Sequence, residues 1–519
     1  MNLAQAFADS VRKQPHKIAL FWGEREYPYS ELWQQSVHVA EHLQHQLGVK
    51  AGDRVALWLK NCPEFVPCLF GILLTGATVV PINNFLKPDE VNYILGDAGI
   101  YVMITNHELG THHRALEAAR PHLKIFRVEE IDGEDAHAKA EKRKARENPL
   151  HGSEYPHGSR DALVHYSLPP IHRDNLAAII YTSGTTGRPK GAMLSHGNLL
   201  HNVESCRLVL KTVQLDRFAV LLPLFHSYML TVGLLLPFLV GGSIVLVKSL
   251  HPVRNVLQEI IQRRATVLPA IPQFYRSMVN APIDIQLPLR MCVSGAAPLP
   301  AQVLKDFEAK FHIPLIEGYG LSEASPVVTK NPLDGTRKAG SIGLPIPHVE
   351  VSIQDHTGRL LGPNEIGEVC VRGGNVMVGY WKLPEETAKA IQHGWLMTGD
   401  IGYRDTDGYY YITDRKKDML LVNGINVYPR EIEEVLYQYS GIKEAAVIGK
   451  PDPRRGEQPI AFVAADDGVL IEEKVLQQFV RRKLADYKVP RKVVVLPALP
   501  RNAAGKILKT TLRDLRLPC

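Results

Sequence analysis

The chain has 519 residues, 45% of them hydrophobic and 22% charged, and at roughly 150 residues per domain such a length divides into about three or four units. Forty glycines and 36 prolines are ordinary for a globular protein and exclude disorder, collagen and coiled coil as the main state. Sixty basic against 54 acidic residues leave +6, which is weak evidence for nucleic-acid binding and compatible with an anionic small-molecule substrate.

The N-terminal residues Met1–Gln5 lack a basic start followed by an apolar run, so no signal peptide is expected. Ala4–Lys13 is patterned as a helix, Arg54–Leu59 as a short strand, Glu64–Leu74 as a helix, and Thr78–Pro81 and Tyr101–Ile104 as strands. That alternation implies a parallel sheet covered by helices. Between Gly133 and Ser167 the pattern dissolves into charges, His, Gly and Ser, as in a surface loop. Alternation resumes at Ala177–Tyr181 and runs to about Thr329.

Phe218 to Val247 carries no formal charge and is long enough for a membrane crossing. Pro223, His226, Pro237 and Gly241-Gly242 interrupt it. It reads instead as a strand (Phe218–Leu222), a buried helix (about Tyr228–Val240) and a second strand (Ile244–Val247). Short alternating stretches such as Val349–Ile353 and Gly367–Arg372, separated by Gly and Pro, predict a small β-rich subdomain. Beyond Asp414–Asp418 the pattern becomes α+β, with a helix at Pro429–Tyr437, strands at Glu444–Ile448 and Ala461–Ala464, and a long helix at Ile471–Leu484. Cys62, Cys68, Cys206, Cys292, Cys370 and Cys519 form no CxxC pair and fit no zinc spacing. They read as free thiols of a reducing, cytoplasmic setting.

The most informative segment is Tyr181-Thr-Ser-Gly-Thr-Thr-Gly-Arg-Pro-Lys190-Gly191. An apolar strand runs into a loop of hydroxyls and glycines that ends in a lysine. Glycines let backbone N–H groups converge on an anion, the hydroxyls of Thr182, Ser183, Thr185 and Thr186 add donors, and Lys190 adds charge. Gly184 and Gly187 do not give Walker A spacing.

This segment resembles the phosphate loop of the adenylate-forming enzymes, the superfamily of acyl-CoA and aryl-CoA synthetases, luciferases and peptide-synthetase adenylation domains. Four further matches follow in that family's order. Gly318-Tyr319-Gly320-Leu321-Ser322-Glu323, with Glu317 before it, resembles the aromatic-glycine-acid motif. Glu323 has the hard oxygen that Mg²⁺ prefers, with Thr182 as a second metal candidate, and Tyr319 offers a flat face to adenine. Trp395–Asp400 resembles the ribose-binding motif, with Asp400 as the acceptor for the ribose hydroxyls. Tyr411–Asp418 resembles the hinge, with Tyr411 and Arg415 on the nucleotide side and Lys417 as the pivot; an ion pair with Asp414 or Asp418 would also account for Arg415. Pro500–Ile507 resembles the C-terminal loop that bears the catalytic lysine, here Lys506. Gly295, Ala296 and Ala297 resemble the adenine-side loop.

The resemblance spans essentially the whole chain. It implies an α/β fold with a large N-terminal domain over 1–415, built of mixed parallel sheets covered by helices with a β-rich subdomain at about 340–415. A hinge near 416–418 and a small mobile α+β C-terminal domain over 418–519 complete it. It also implies ATP, Mg²⁺ and CoA, and a two-step reaction. A carboxylate attacks the α-phosphorus of ATP and expels pyrophosphate; a thiol then attacks the acyl carbon and releases AMP. Lys506, Glu323, Lys190 and His226 are the implied catalytic residues, and Gly424 the point where the pantetheine arm passes.

His226, Met229, Leu230 and Gly320 are the expected acyl-pocket residues, with His226 also a candidate gate of the thiol tunnel and equally readable as a core histidine. No aspartate stands between Pro223 and Val247 to hold an α-amino group, which disfavours amino acids and favours an alkyl or aryl acid. The expected function is CoA activation of a medium- or long-chain fatty acid. The competing readings are an aryl-CoA ligase of the coumarate or benzoate type, transfer to a carrier-protein phosphopantetheine, and a non-catalytic adenylate-binding protein. The partners expected are the small carboxylic acid and CoA, without nucleic acid or a transmembrane segment; peripheral membrane contact and a homodimer are compatible with the sequence.

Overall fold

A computed structural model describes residues 1–130, 170–182, 188–250, 252–282, 285–416, 418–423, 425–452, 455–501 and 507–515. The charged stretch 133–167, expected to be a surface loop, lies outside the described residues. By internal contacts the chain forms two units, one of Met1–Leu268, Ser322–Pro326 and Gly374–Thr387, the other of Pro269–Leu321, Val327–Gly373 and Ala388–Cys519.

The first unit holds a seven-stranded sheet. In spatial order its strands are Gly379–Tyr380, Lys190–Ser195, Leu176–Thr182, Thr78–Pro81, Arg54–Leu57, Val102–Thr105 and Lys124–Arg127. The five from Leu176–Thr182 onward are parallel, as the strand–helix alternation predicts, because helices such as Phe65–Leu74 and Pro88–Asp97 return the chain between them. The first two are antiparallel additions. Parallel strands bury both faces, and Thr78–Pro81 and Val102–Thr105 are buried along their whole length.

A second sheet in this unit runs Arg25–Pro28, Ile18–Trp22, Ser243–Leu246 and Arg217–Val220, with Val267 beside Phe218. Its last strands bracket the uncharged stretch. Between them lies a π-helix, Met229–Leu235, followed by a short α-helix, Leu236–Leu239, where the sequence suggested one buried helix. Every residue of the π-helix is buried, so hydrophobic periodicity had no polar face by which to tell the two windings apart. Among the described residues no helix is long and apolar enough to cross a membrane.

In the second unit, Met291–Ser294 pairs in parallel with Leu315–Gly320, which continues antiparallel into Val327–Lys330 and Leu344–Pro345. The expected β-rich part is an antiparallel sheet of Val349–Gln354, Gly367–Gly373, Trp395–Arg404 and Ile391–Gln392, with Tyr410–Arg415 also on Trp395–Arg404. The C-terminal part is a sheet of Ile425–Val427, Leu420–Val422, Gly456–Ala465 and Ile442–Asp452, with Lys492–Val495 parallel to Gly456–Ala465. Pro429–Tyr437 and Glu473–Arg481 cover it through Ile432, Leu436, Leu476 and Val480. The second of these helices is shorter than Ile471–Leu484, because from Arg482 the chain tightens into a turn in which Lys483 and Leu484 both donate to the Val480 carbonyl. Cys62, Cys68, Cys206, Cys292 and Cys370 are free thiols.

Candidate active site

In the first unit the glycine-hydroxyl segment closes an antiparallel hairpin. Leu176–Thr182 leads into it and Lys190–Ser195 returns, with Thr182 opposite Lys190. A Walker A loop would open a helix here instead. Ser183, Gly184, Thr185, Thr186 and Gly187 lie outside the described residues; Thr182 and Lys190, the two ends, lie inside. Gly191 has no room for a Cβ, which would stand 2.6 Å from Ile179 Cγ2.

Lys190 Nζ is ion-paired with Glu386 and lies 5.4 Å from the centre of the Tyr380 ring. The lysine side chain is 12% exposed and the glutamate 28%. Tyr380 donates its O–H to Glu323 Oε1 at 2.9 Å, and Thr182 Oγ1 donates to the same oxygen at 3.3 Å. Burial and the Glu323 carboxylate push the Tyr380 phenol well up, so it stays a donor. Glu323 is fixed from behind as well. It sits in the 3₁₀ turn Ser322–Ala324, its carbonyl accepts from Met377 N–H at 2.8 Å, and Asn375 Nδ2 donates to the Ala324 carbonyl at 3.1 Å.

This donor set fits Mg²⁺. The ion usually takes one or two carboxylates and completes its shell with water and phosphate oxygens; Glu323 and Thr182 supply one carboxylate and one hydroxyl oxygen within a hydrogen bond of each other. Ser322 Oγ is 2.9 Å from Ser227 Oγ, and Thr231 Oγ1 donates to the Ser325 carbonyl. These bonds tie the glutamate turn to the π-helix and its lead-in. His226 precedes that helix, and its Nδ1 accepts from Tyr228 N–H at 3.3 Å, a local turn-capping bond. Met229 and Leu230 are buried. Met229 folds over Gly233, where a Cβ would come within 2.1 Å of the Met229 sulfur.

The second unit carries further candidates. Tyr319 and Asp400 come together through the Tyr319 O–H, which donates to Asp400 Oδ2. Arg415 Nε is 3.1 Å from Asp400 Oδ1, the two residues being partners across adjacent strands. Arg415 thus pairs with Asp400 across the sheet, and its backbone N–H donates to Asp414 Oδ1 at 2.7 Å. Asp400 is 3% exposed, and burial followed by the Asp400 charge raises the Tyr319 phenol. Gly318 and Gly320 share the Tyr319 strand, and a Cβ on Gly318 would approach the Thr329 carbonyl at 3.3 Å.

Glu317, on the same strand, is buried and accepts from Leu299 N–H at 3.0 Å. Burial pushes its carboxyl up to about 7, against the pull of Arg430 and the Leu299 N–H. Gly295, Ala296 and Ala297 follow the strand Met291–Ser294, with Ala296 at φ +66°. Tyr411 stacks on Tyr403 at 4.8 Å and donates to Asp405. Lys417, Gly424 and Lys506 lie outside the described residues.

Sequence reasoning missed Tyr380 and Glu386, and named Asp414 only as a partner for Arg415. Asp414 Oδ2 accepts from Arg430 N–H at 3.0 Å, satisfying a free donor in the first turn of Pro429–Tyr437. Burial pushes Asp414 up to about 6, opposed by Lys509. The only local hint was a run of ionisable residues beside a helix start.

A family model for AMP-binding enzymes matches residues 7–381, and one for the AMP-binding enzyme C-terminal domain matches 431–506. A long-chain-fatty-acid–CoA ligase of Bacillus subtilis is 35% identical over 99% of this chain and 94% of its own length. A feruloyl-CoA synthase of Amycolatopsis is 35% identical over 97% and 96%. The crystal structure of ATP-bound MatB from Rhodopseudomonas palustris superposes with a TM-score of 0.86 at 32% identity, covering 99% of both chains. The chain belongs to the AMP-binding enzyme family and is an AMP-forming acid–thiol ligase.

Proposed function

We propose that this acyl-CoA synthetase activates a medium- or long-chain fatty acid. The observation that carries the reading is the wall Met229–Leu235, seven consecutive buried residues that include no acid or base. Its one hydroxyl, on Thr231, is spent on the Ser325 carbonyl, so as a pocket wall the segment offers a polar substrate little to hold and rewards alkyl carbon by about 0.8 kcal/mol per buried methylene. Fatty-acid ligases and an aryl ligase stand at the same identity among the relatives, so an aryl-CoA ligase is the second reading.

In the proposed mechanism Lys190 and Arg415 offset the negative charge of the ATP phosphates, and Asp400 accepts from the ribose hydroxyls. Glu323 and Thr182 would hold Mg²⁺, which when bound supplies Lewis-acid stabilisation of the phosphate oxygens. The carboxylate oxygen bonds to the α-phosphorus as the bond to pyrophosphate breaks, and Lys506 is assigned to the charge that builds up there. The CoA thiol, losing its proton, then bonds to the acyl carbon while the bond to AMP breaks. We place the hinge near 416–418, between domains at 1–415 and 418–519, with Gly424 beside the thiol path. Lys506→Ala should cut adenylation roughly a hundred- to a thousandfold and spare thioester formation from supplied acyl-adenylate. Equal loss of both half-reactions would sink the assignment of Lys506 to the first step alone.

The substrate test is kcat/KM for even-numbered acids from acetate to palmitate, with benzoate and 4-coumarate alongside. Efficiency should rise about three- to fourfold per carbon until the pocket is full. An aromatic best substrate, or no rise between butyrate and octanoate, would remove the fatty-acid reading and leave the ligase chemistry standing.

A further inference from the structure

We infer that Glu386 is an internal competitor for the nucleotide's phosphates, a residue whose carboxylate holds Lys190 in the nucleotide-free protein and gives way when ATP arrives. The inference rests on reading Lys190 as a phosphate-binding residue. Carboxylate and phosphate are both oxyanions that take the same charge-assisted N–H···O bond from an ammonium. Lysine presents a compact charge with three rotatable donors and no planar fork, so exchanging one oxyanion for the other needs no new orientation of the donor.

The surroundings favour exchange over a permanent bond. Glu386 is the more exposed partner, at 28% against 12%, so the released carboxylate returns to water while the lysine stays in place. It rides on Pro384–Ala390, a seven-residue helix with no buried residue, and that segment can shift without opening the core. The Tyr380 face, 5.4 Å from Nζ, keeps the ammonium oriented through its quadrupole when the glutamate leaves. A purely local role is the competing account. Glu385 and Glu386 both stand in the first turn of that helix, where acids offset the helix dipole, and such a role would leave ATP binding untouched.

Glu386→Gln keeps the shape and removes the charge. KM for ATP and inhibition by inorganic pyrophosphate are measured at saturating acid for the wild type, Glu386→Gln, Lys190→Ala and the double variant, with thermal melting to confirm folding. In Glu386→Gln, KM for ATP should fall about two- to fivefold, as loss of a partly exposed ion-pair competitor implies. Pyrophosphate inhibition should tighten in parallel, and KM for acid and CoA should stay put. On the Lys190→Ala background the glutamine should change nothing, because the competition runs through that lysine. An ATP KM that is unchanged or raised in Glu386→Gln overturns the proposal and leaves Glu386 as a support for Lys190 or its helix. If Lys190→Ala leaves KM for ATP unchanged, the phosphate role of Lys190 fails first and the competitor role falls with it. Should Glu386→Gln melt early, Glu386→Ser, with the same measurements, decides between the same outcomes.

Discussion

Lys190 in the first unit and Asp400 in the second are both candidate nucleotide contacts, and the protein holds them by different means. Lys190 opens the returning strand of a hairpin and meets a glutamate from a short helix that buries nothing. Asp400 is inside a ten-residue strand. It faces Arg415 across the sheet, receives the Tyr319 hydroxyl from another strand, and its own N–H is satisfied by Thr398 Oγ1 at 3.1 Å. The first arrangement is a charge balance that a ligand can take over. The second is geometry set by strand register, which a ligand meets ready-made. Residues of the first kind should tune binding at little cost to the fold, whereas those of the second should couple binding to stability.

Asp400→Ala is the strongest way to break that contrast. It removes the proposed ribose acceptor and takes the carboxylate partner from the half-buried Tyr319 hydroxyl and from Arg415. We expect kcat/KM for ATP to drop about a hundredfold and unfolding free energy to fall by about 1–3 kcal/mol, as when a hydrogen bond to a charged group is lost. Urea unfolding and steady-state kinetics on the same preparation check both. Full activity loss with unchanged stability would put Asp400 in the exchangeable class with Lys190.

Glu317 extends the comparison to pH. Its folded carboxyl stands near 7 against an ordinary 4.5, chiefly through burial. The folded protein therefore holds a proton that the unfolded chain gives up between those values. This contribution to stability is complete below about pH 4.5 and is lost as pH rises toward 7, by about 3 kcal/mol in all. Glu317→Gln, which can still accept from Leu299 N–H, should gain stability relative to the wild type as pH goes from 5 to 8. Parallel denaturation curves at those two values give the answer, and a constant difference between the proteins would show that the acid ionises freely where it is.

Much of this was legible in the sequence because it is local. Thr78–Pro81 and Pro429–Tyr437 fall where patterning placed them, and Lys190, Glu323 and Asp400 stand in motifs of about a dozen residues or fewer. What escaped depends on pairing across the chain. Tyr380 is 57 residues from Glu323, and Glu386 is 196 from Lys190, so no window of sequence holds both partners. The C-terminal hairpin was underestimated for a related reason. Lys450, Pro451 and Asp452 break the apolar alternation, yet their backbones remain in register with Gln458, Glu457 and Gly456, a match that only the partner strand reveals.

Tyr380→Phe gives the smallest effect and the sharpest comparison, because Tyr380 and Glu386 share one segment, Gly374–Thr387, and should act in opposite directions. The phenol donates to Glu323 Oε1 and so restrains the carboxylate assigned to Mg²⁺. Groups that hold a metal-ligating carboxylate by a hydrogen bond usually strengthen metal binding. Phenylalanine keeps the ring beside Lys190 and removes only the O–H. The Mg²⁺ concentration for half-maximal activity should rise, by about tenfold at the low end of such effects, while kcat at saturating Mg²⁺ changes by less than about twofold. KM for ATP at saturating Mg²⁺ should stay near the wild-type value, where Glu386→Gln lowers it. A titration of activity against Mg²⁺ at fixed ATP separates the two. If Tyr380→Phe instead lowers the Mg²⁺ requirement, the phenol competes for the Glu323 oxygen as Glu386 competes for the lysine, and the whole segment is a stand-in for substrate with no positioning role.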